Sequence, residues 1–395
     1  MRVLVTGGAG FIGSHSVDAL LKRGYEVRIL DNLAKPVHLK GKPPHIPSKA
    51  EFLTGDVRNK QDWEKALDGV DVIFHLAAYQ DYLTDFNRFF HVNSVGTALL
   101  YEVIVEKQLP VKKVIIASSQ AVYGEGKYEC GDCRERNQCS KGPMDYRKNE
   151  RVGDGIYYPD IRSLEQLSAG EWDIRCPVCG QNLSPLWTDE DRVNPQNQYA
   201  ISKYSQELIG MNLGRRYGIP TVCLRYSIVQ GPRQSFYNAY SGACRIFALS
   251  LFFDRAPTIY EDGRQLRDYV NIEDVVAANL LVMEDPRASY QVYNVGGGKA
   301  YTVLELYDVV AGVFGKDIPP RIPGEFRFGD TRHIISDISK LRSLGWEPRR
   351  SIRKSVQDYK QWLEEQTDIE DILEYQQERM KQLNVVRQTK LAPEL

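Results

Sequence analysis

A chain of 395 residues, 42% hydrophobic and 26% charged, has the composition of a folded globular protein with room for two or three domains. Its formal net charge of −1 gives no electrostatic case for nucleic acid or an anionic membrane surface as the main partner. No run approaches the roughly 18 apolar residues of a membrane span.

The N-terminal MRVLVTGGAGFIG is broken by glycine too early for a signal peptide, so a cytoplasmic protein is expected. In that compartment the seven cysteines are expected as free thiols or metal ligands. Short β-branched runs at residues 2–6, 26–30, 50–53, 71–75 and 112–117 predict buried parallel strands. Helical patterns at 11–22, 60–67 and 90–105 alternate with them, the signature of a doubly wound α/β sheet. A long helix is predicted over 196–217 and a strand over 221–225. Further helices are predicted at 239–252, 273–284, 303–314 and 337–344, between loops bearing glycine and proline. From about Thr367 the chain is charged and helix-prone, and a solvated terminal helix is expected there.

Thr6-Gly-Gly-Ala-Gly-Phe-Ile-Gly13 follows the first strand and opens the first helix. Gly7, Gly10 and Gly13 permit a tight turn, close approach of backbone to a pyrophosphate, and tight helix–strand packing. The helix N-terminus adds free N–H groups and a favourable dipole for phosphate. Asp31 ends the second strand 18 residues after Gly13, where a carboxylate holds ribose hydroxyls and repels a 2′-phosphate. The pattern predicts a Rossmann domain that binds NAD rather than NADP. The alternative for Asp31 is a turn cap in Asp31-Asn32.

Tyr199 and Lys203 are four residues apart on a predicted helix, so both project from one face. A free tyrosine, with a pKa near 10, is a poor base at neutral pH. A lysine ammonium nearby stabilises the phenolate, so Tyr199 can take a hydroxyl proton while a hydride leaves for NAD. Ser118 and Ser119 end a strand at the carboxyl edge of the sheet, where a hydroxyl can hold the substrate oxygen.

TGGAGFIG, HLAA at 75–78, SSQAVYG at 118–124 and YAISK at 199–203 resemble the extended short-chain dehydrogenase/reductases, and more narrowly the NAD-dependent nucleotide-sugar epimerase/dehydratase family. The likeness covers roughly residues 1–125 and 188–350. It implies Ser119, Tyr199 and Lys203 as the catalytic triad. It implies Gly7, Gly10, Phe11, Ile12, Gly13, Asp31, Asn32, Asp56, Val57, Leu76, Ala77, Ala78, Asn93 and Tyr226, with Tyr199 and Lys203, around the cofactor. RQLRDYVNIEDV at 264–275, YNVGGG at 293–298 and GDTRHIISDISKLRSLGWEP at 329–348 resemble segments that grip a nucleotide diphosphate. Arg267 and Arg332 become candidate phosphate ligands, suited by their guanidinium forks. For either arginine the alternative is a salt bridge. Ser119, Gln120 and Arg233 complete the expected substrate contacts, and the resemblance also implies a homodimer through the helices near 90–105 and 196–217.

The residues after Ser119 discriminate between reactions. The 4,6-dehydratases of the family carry acidic residues just before VYG, because eliminating water needs a second acid and base. Here Gln120 and Ala121 cannot shuttle a proton, which disfavours dehydration; Ala121 also stands where the decarboxylases carry Glu. The expectation is epimerisation at carbon 4 of a nucleotide sugar. The rivals are a net oxidoreductase or another epimerase, and a non-catalytic NAD-binding protein. Where epimerases commonly read RYFNVYGPRQ, this chain reads RYSIVQGPRQ at 225–234, so Ser227 and Ile228 alter the sugar pocket. With YQDYLTDF at 79–86 and an inserted segment bearing cysteines, this combination is most similar to family members acting on dTDP-L-rhamnose.

Residues 126–187 lack sheet periodicity and hold five of the seven cysteines. Cys130-Gly-Asp-Cys133 and Cys176-Pro-Val-Cys179 are paired C-x₂-C knuckles, the usual set for structural zinc, with Cys139 as a weaker alternative ligand. Four thiolates leave no open position for catalysis. Nine Lys/Arg against ten Asp/Glu in this segment argue against a nucleic-acid-binding ribbon. Cys223 and Cys244 are expected as packed thiols. The expected architecture is therefore α/β: a Rossmann domain (1–125 and 188–235), a zinc-ribbon-like insertion (126–187), a smaller mixed α/β substrate lobe (236–350, with strands free to cross back to the Rossmann sheet) and a helical tail (351–395). The insertion separates Ser119 from Tyr199, so its ends are expected beside the active site, as a wall or lid over the sugar pocket.

Overall fold

The computed structural model describes residues 1–81, 84–135, 144–145, 150–151, 155–237, 242–367, 369, 371 and 373–390. Seven parallel strands form the central sheet, in the order Gln291–Val295, Thr221–Tyr226, Lys113–Ser119, Val72–His75, Arg2–Thr6, Glu26–Asp31 and Glu51–Thr54. Apolar side chains from both faces of these strands enter the two main cores, as a sheet covered on both sides by helices requires. The chain starts in Arg2–Thr6, winds outward to Glu51–Thr54, and then crosses back to Val72–His75 on the other side. The reversal leaves a crevice at the carboxyl ends of these two neighbours, where ligands of such sheets bind.

The six predicted strands and the main helices are present within a few residues of their expected limits. The seventh strand, Gln291–Val295, comes from the segment expected as substrate lobe. Ile272–Glu284, from the same segment, packs on Phe11–Lys22 in the main core. The helix expected over 90–105 is longer and interrupted: Phe86–Phe89 and Gly96–Glu106 flank a wider π-turn at Phe90–Val95.

The insertion does contain a sheet. Lys127–Glu129 pairs antiparallel with both Ser184–Leu186 and Ile156–Tyr157. Three-residue strands from segments far apart in the chain are too short to show a period of two. The C-terminal region is helical as expected, but its end beyond Thr367 is paired rather than free. Ile352–Glu364 buries Ile352, Val356 and Tyr359 against Ala243–Phe252 and Val303–Phe314. Beyond the Leu373–Gln382 helix, Val386–Gln388 pairs antiparallel with Glu325–Arg327, so this end of the chain is stitched into the segment expected as substrate lobe. Its charged residues mask the few apolar positions that carry the packing.

Candidate active site

At the first strand–helix turn the glycines are obligatory. Gly7 has φ +67°, and a Cβ there would lie 2.9 Å from the backbone of Ala77. A Cβ on Gly13 would lie 2.1 Å from the Gly7 carbonyl oxygen. Gly10 caps the Phe11–Lys22 helix with no side chain, which leaves the first-turn N–H groups open to an anion. Thr6 Oγ1 accepts from the N–H groups of Leu76 (3.2 Å) and Ala77 (3.1 Å), fixing HLAA beside the glycine turn. His75 is enclosed between Thr6 and Thr97, and burial together with the Lys203 charge pushes its pKa down to about 3. It is thus a neutral hydrogen-bonding strut.

A cavity of about 320 Å³ runs along this edge, lined by Gly7, Gly10, Phe11, Ile12, Gly13, Asp31, Asn32, Val57, Leu76, Ala77, Ala78, Tyr199, Lys203 and Tyr226 among others. Asp31 is braced by the N–H groups of Ala9 (3.0 Å) and Leu33 (2.9 Å), so the cap alternative is met as well as the cavity position. Two expected cofactor residues stand back from the lining. Asp56 takes three hydrogen bonds from Arg58 and one from Asn32, which hold it ionised with a pKa near 2, while its neighbours Gly55, Val57 and Arg58 reach the cavity. Asn93, in the π-turn, is fully buried and clamps the Tyr79 backbone through both its N–H and its carbonyl, while donating to Ser202. The 34–38 loop, Arg58 and Gln80 also reach the cavity, although no motif in the sequence points to them. No periodic pattern marks them, because they stand on loops.

A second cavity of about 380 Å³ continues from the first toward the lobe formed by residues 242–334. Phe11, Ile12, Gln80, Ser118, Tyr199, Tyr226 and Gln234 line both. Of the catalytic candidates, Tyr199 stands in this shared wall, with Lys203 on the first cavity and Ser119 on the second. Asn197 caps the Gln198–Tyr217 helix by accepting from the Ala200 N–H, so Tyr199 sits in the first turn. The Tyr199 hydroxyl hydrogen-bonds Ser119; burial pushes its pKa up to about 12 and Ser119 partly offsets this. Lys203 is fully buried, its ammonium donating to Gln206 Oε1 at 2.7 Å, and burial lowers its pKa to about 7. Glu207, on the same helix, forms a buried bidentate pair with Arg225 that ties the helix to the sheet.

Ser119, Gln120, Ser227, Ile228, Arg267 and several aromatic side chains line the second cavity. Gln120 Oε1 is buried with no hydrogen-bond partner. Arg267 reaches the cavity with its guanidinium anchored on the carbonyls of Leu266, Thr331 and Arg332. Arg332 is placed otherwise. It is 2% exposed, and its guanidinium meets Asp262, Glu261 and Asp173, the salt-bridge alternative rather than a phosphate ligand. Arg233 pairs with Asp18 at 2.7 Å and lies outside the lining of both cavities. Its position is taken by its neighbour Gln234.

In the insertion, the sulfurs of Cys130, Cys133, Cys176 and Cys179 all lie within 4.8 Å of one another. Cys139 lies outside the described residues. Cys223 and Cys244 are buried free thiols, as expected. Among the described residues no helix is long and apolar enough to cross a membrane.

The model of the NAD dependent epimerase/dehydratase family matches residues 3–149 and 178–296. A dTDP-L-rhamnose 4-epimerase from Burkholderia thailandensis is 30% identical over 374 residues, covering 93% of this chain and 96% of its own. Among solved structures, a UDP-glucose 4-epimerase from Thermotoga maritima with UDP-glucose superposes with a TM-score of 0.72 at 29% identity, covering 92% of this chain and 99% of that one. A UDP-glucuronic acid 4-epimerase from Bacillus cereus in complex with NAD gives 0.70 at 25% identity, with coverage of 92% and 99%. With its glycine turn, acidic strand end and Ser–Tyr–Lys set assembled at one crevice, the chain belongs to the NAD dependent epimerase/dehydratase family.

Proposed function

We propose that this chain is an NAD-dependent nucleotide-sugar 4-epimerase, acting on a dTDP-6-deoxyhexose such as dTDP-L-rhamnose. The carrying observation is that Tyr199 lines both cavities at the point where they join, hydrogen-bonded to Ser119. A hydroxyl there can reach a sugar on one side while the cofactor lies on the other.

The first cavity fits NAD: the glycine cradle admits a pyrophosphate, Asp31 faces the ribose position, and Lys203 and Tyr226 lie toward the reacting end. NAD, when bound, supplies a reversible hydride acceptor. Tyr199 takes the proton of the carbon-4 hydroxyl and Ser119 holds the oxygen as it becomes a carbonyl. The Lys203 charge lowers the cost of the tyrosinate. The 4-keto sugar turns in the second cavity, the hydride returns to its other face, and Tyr199 gives the proton back. Gln120 and Ala121 offer no second acid or base for elimination. Arg267 is the candidate cation for the diphosphate. The dTDP-L-rhamnose assignment draws on the Burkholderia thailandensis relative and on Ser227 and Ile228 in the sugar cavity.

Incubation with dTDP-L-rhamnose, dTDP-glucose, UDP-glucose and UDP-glucuronic acid, followed by NMR, tests the reading. A carbon-4 epimer without net NADH is expected; stoichiometric NADH would favour an oxidoreductase, and no turnover a non-catalytic NAD-binding protein.

Two accompanying features belong to the same reading. We infer that Cys130, Cys133, Cys176 and Cys179 hold a structural zinc ion. Zinc–sulfur bonds of about 2.3 Å in a tetrahedron separate the sulfurs by about 3.8 Å, and facing pairs here stand at 3.5 Å (Cys130–Cys179) and 3.7 Å (Cys133–Cys176). Elemental analysis is expected to find one zinc per chain. We also infer a cytoplasmic homodimer. The six described cysteines are all free, and Phe86, Val95, Ile201 and Leu208 expose large apolar side chains on the two helical segments expected to pair.

A further inference from the structure

The cysteine knuckles lie close in sequence to the residues that fix Arg267. From Glu125, which lines the substrate cavity, the chain runs through Lys127–Glu129 directly into Cys130. Trp172 and Asp173 precede Cys176 by four and three residues. Tyr128 shares a small core with Cys130, Cys133 and Cys176.

Three residues of this insertion, Tyr128, Arg162 and Asp173, bond to the segment 330–333. The Tyr128 hydroxyl accepts from the His333 N–H at 3.1 Å. Asp173 accepts from Arg332 Nε at 2.8 Å. Arg162 donates to the Asp330 carbonyl at 2.8 Å, while its fork binds Glu261 and its Nε meets Glu125 at 3.3 Å. Glu125 in turn accepts from the Arg332 N–H at 2.6 Å. The carbonyls of this same segment, Thr331 at 2.7 Å and Arg332 at 2.9 Å, hold the Arg267 guanidinium. Arg162, Arg332, Glu125 and Glu261 are all almost fully buried, so the bonds among them are made at low dielectric, where losing one partner is costly, while Asp173 is half-exposed.

We propose that the four-cysteine insertion is the outer half of the diphosphate-binding wall: Tyr128, Arg162 and Asp173 position Arg267 through segment 330–333, and metal at the knuckles sets nucleotide-sugar affinity. This rests on reading the second cavity as a nucleotide-sugar site with Arg267 on the diphosphate. Tyr128, Arg162 and Asp173 are positioning residues, since none of them lines the cavity. The knuckles close the loop between the segments that carry Tyr128 and Asp173. Loss of the metal frees both segments together.

The test uses the whole 395-residue chain, with dTDP and UDP as probes in calorimetry and NAD binding followed separately. Asp173→Asn and Tyr128→Phe are each expected to weaken dTDP or UDP binding about tenfold, or about 1.4 kcal/mol, with NAD affinity and kcat within twofold of wild type. Zinc removal by a chelator is expected to do the same and to be reversed by zinc. Arg267→Ala is expected to weaken the same probe at least as much. In the Arg267→Ala background, Asp173→Asn is expected to have no further effect, whereas a general structural defect would still subtract. If wild type binds neither probe, or Arg267→Ala binds as wild type does, the parent reading falls and the proposal with it. If Arg267→Ala weakens binding but Asp173→Asn, Tyr128→Phe and zinc removal do not, the proposal alone is overturned.

Discussion

Tyr199 and Ser119 hydrogen-bond each other although 80 positions separate them in the chain. One comes from the first turn of a helix and the other from the end of a strand, and the whole insertion is threaded between them. The bond sits where the two cavities join. Tyr199→Phe removes the proton acceptor without altering the cavity shape. Turnover is expected to fall by roughly 10²–10⁴-fold, the range for a lost general base. Bound NAD, measured after denaturation, is expected to stay at the wild-type level.

Lys203 gives a pH-dependent stability. Its pKa is about 7 in the folded chain against 10.5 when exposed, so between these values the unfolded chain holds the extra proton. Stability contributed by this residue therefore rises with pH over that window, and the cost of burying the ammonium is complete below pH 7. Lys203→Met is expected to be more stable than wild type at pH 6, by about 1–4 kcal/mol as for other buried charges replaced by apolar groups. The difference should narrow toward pH 9, while turnover is lost at both. Urea denaturation at the two pH values checks this; a constant difference would count against it.

Gln120 presents a buried carbonyl oxygen without a hydrogen-bond partner to the second cavity, the proposed sugar site. A sugar hydroxyl is its natural donor. Gln120→Leu is expected to raise KM for the true sugar about 3–10-fold, the worth of one hydrogen bond of about 0.5–1.5 kcal/mol. Folding stability should not fall, since the group lost was unsatisfied. Steady-state kinetics with thermal unfolding separates the two effects.

Ile201 and Leu208 stand seven residues apart, close to two helical turns, and both are exposed. The double change Ile201→Glu and Leu208→Glu is expected to convert a dimer to a monomer in sedimentation velocity. A wild-type protein that already sediments as a monomer would rule out the homodimer.

What could be read in the chain was local. The glycine turn, the acid at Asp31 and the Tyr199–Lys203 spacing each depend on backbone geometry over a few residues, and each lies where its pattern placed it. The insertion's strands and the C-terminal Val386–Gln388 were not legible. The strands of the insertion's three-stranded sheet and Val386–Gln388 are three residues long or less, and they pair across 27 to 63 positions.

Arg267 and Arg332 mark the boundary most sharply. By itself the sequence determined that each is a guanidinium in a segment resembling diphosphate-binding ones, and that each could equally form a salt bridge. It also determined the knuckles, because two cysteines three apart present both sulfurs to one point. Only the tertiary structure decided that Arg332 meets Asp173, Glu261 and Asp262 while Arg267 rests on backbone carbonyls and faces the cavity. A buried cation needs carboxylates close by, and these come from the insertion and from the substrate lobe. Which arginine they reach depends on how distant segments are brought together, and no local pattern carries that information.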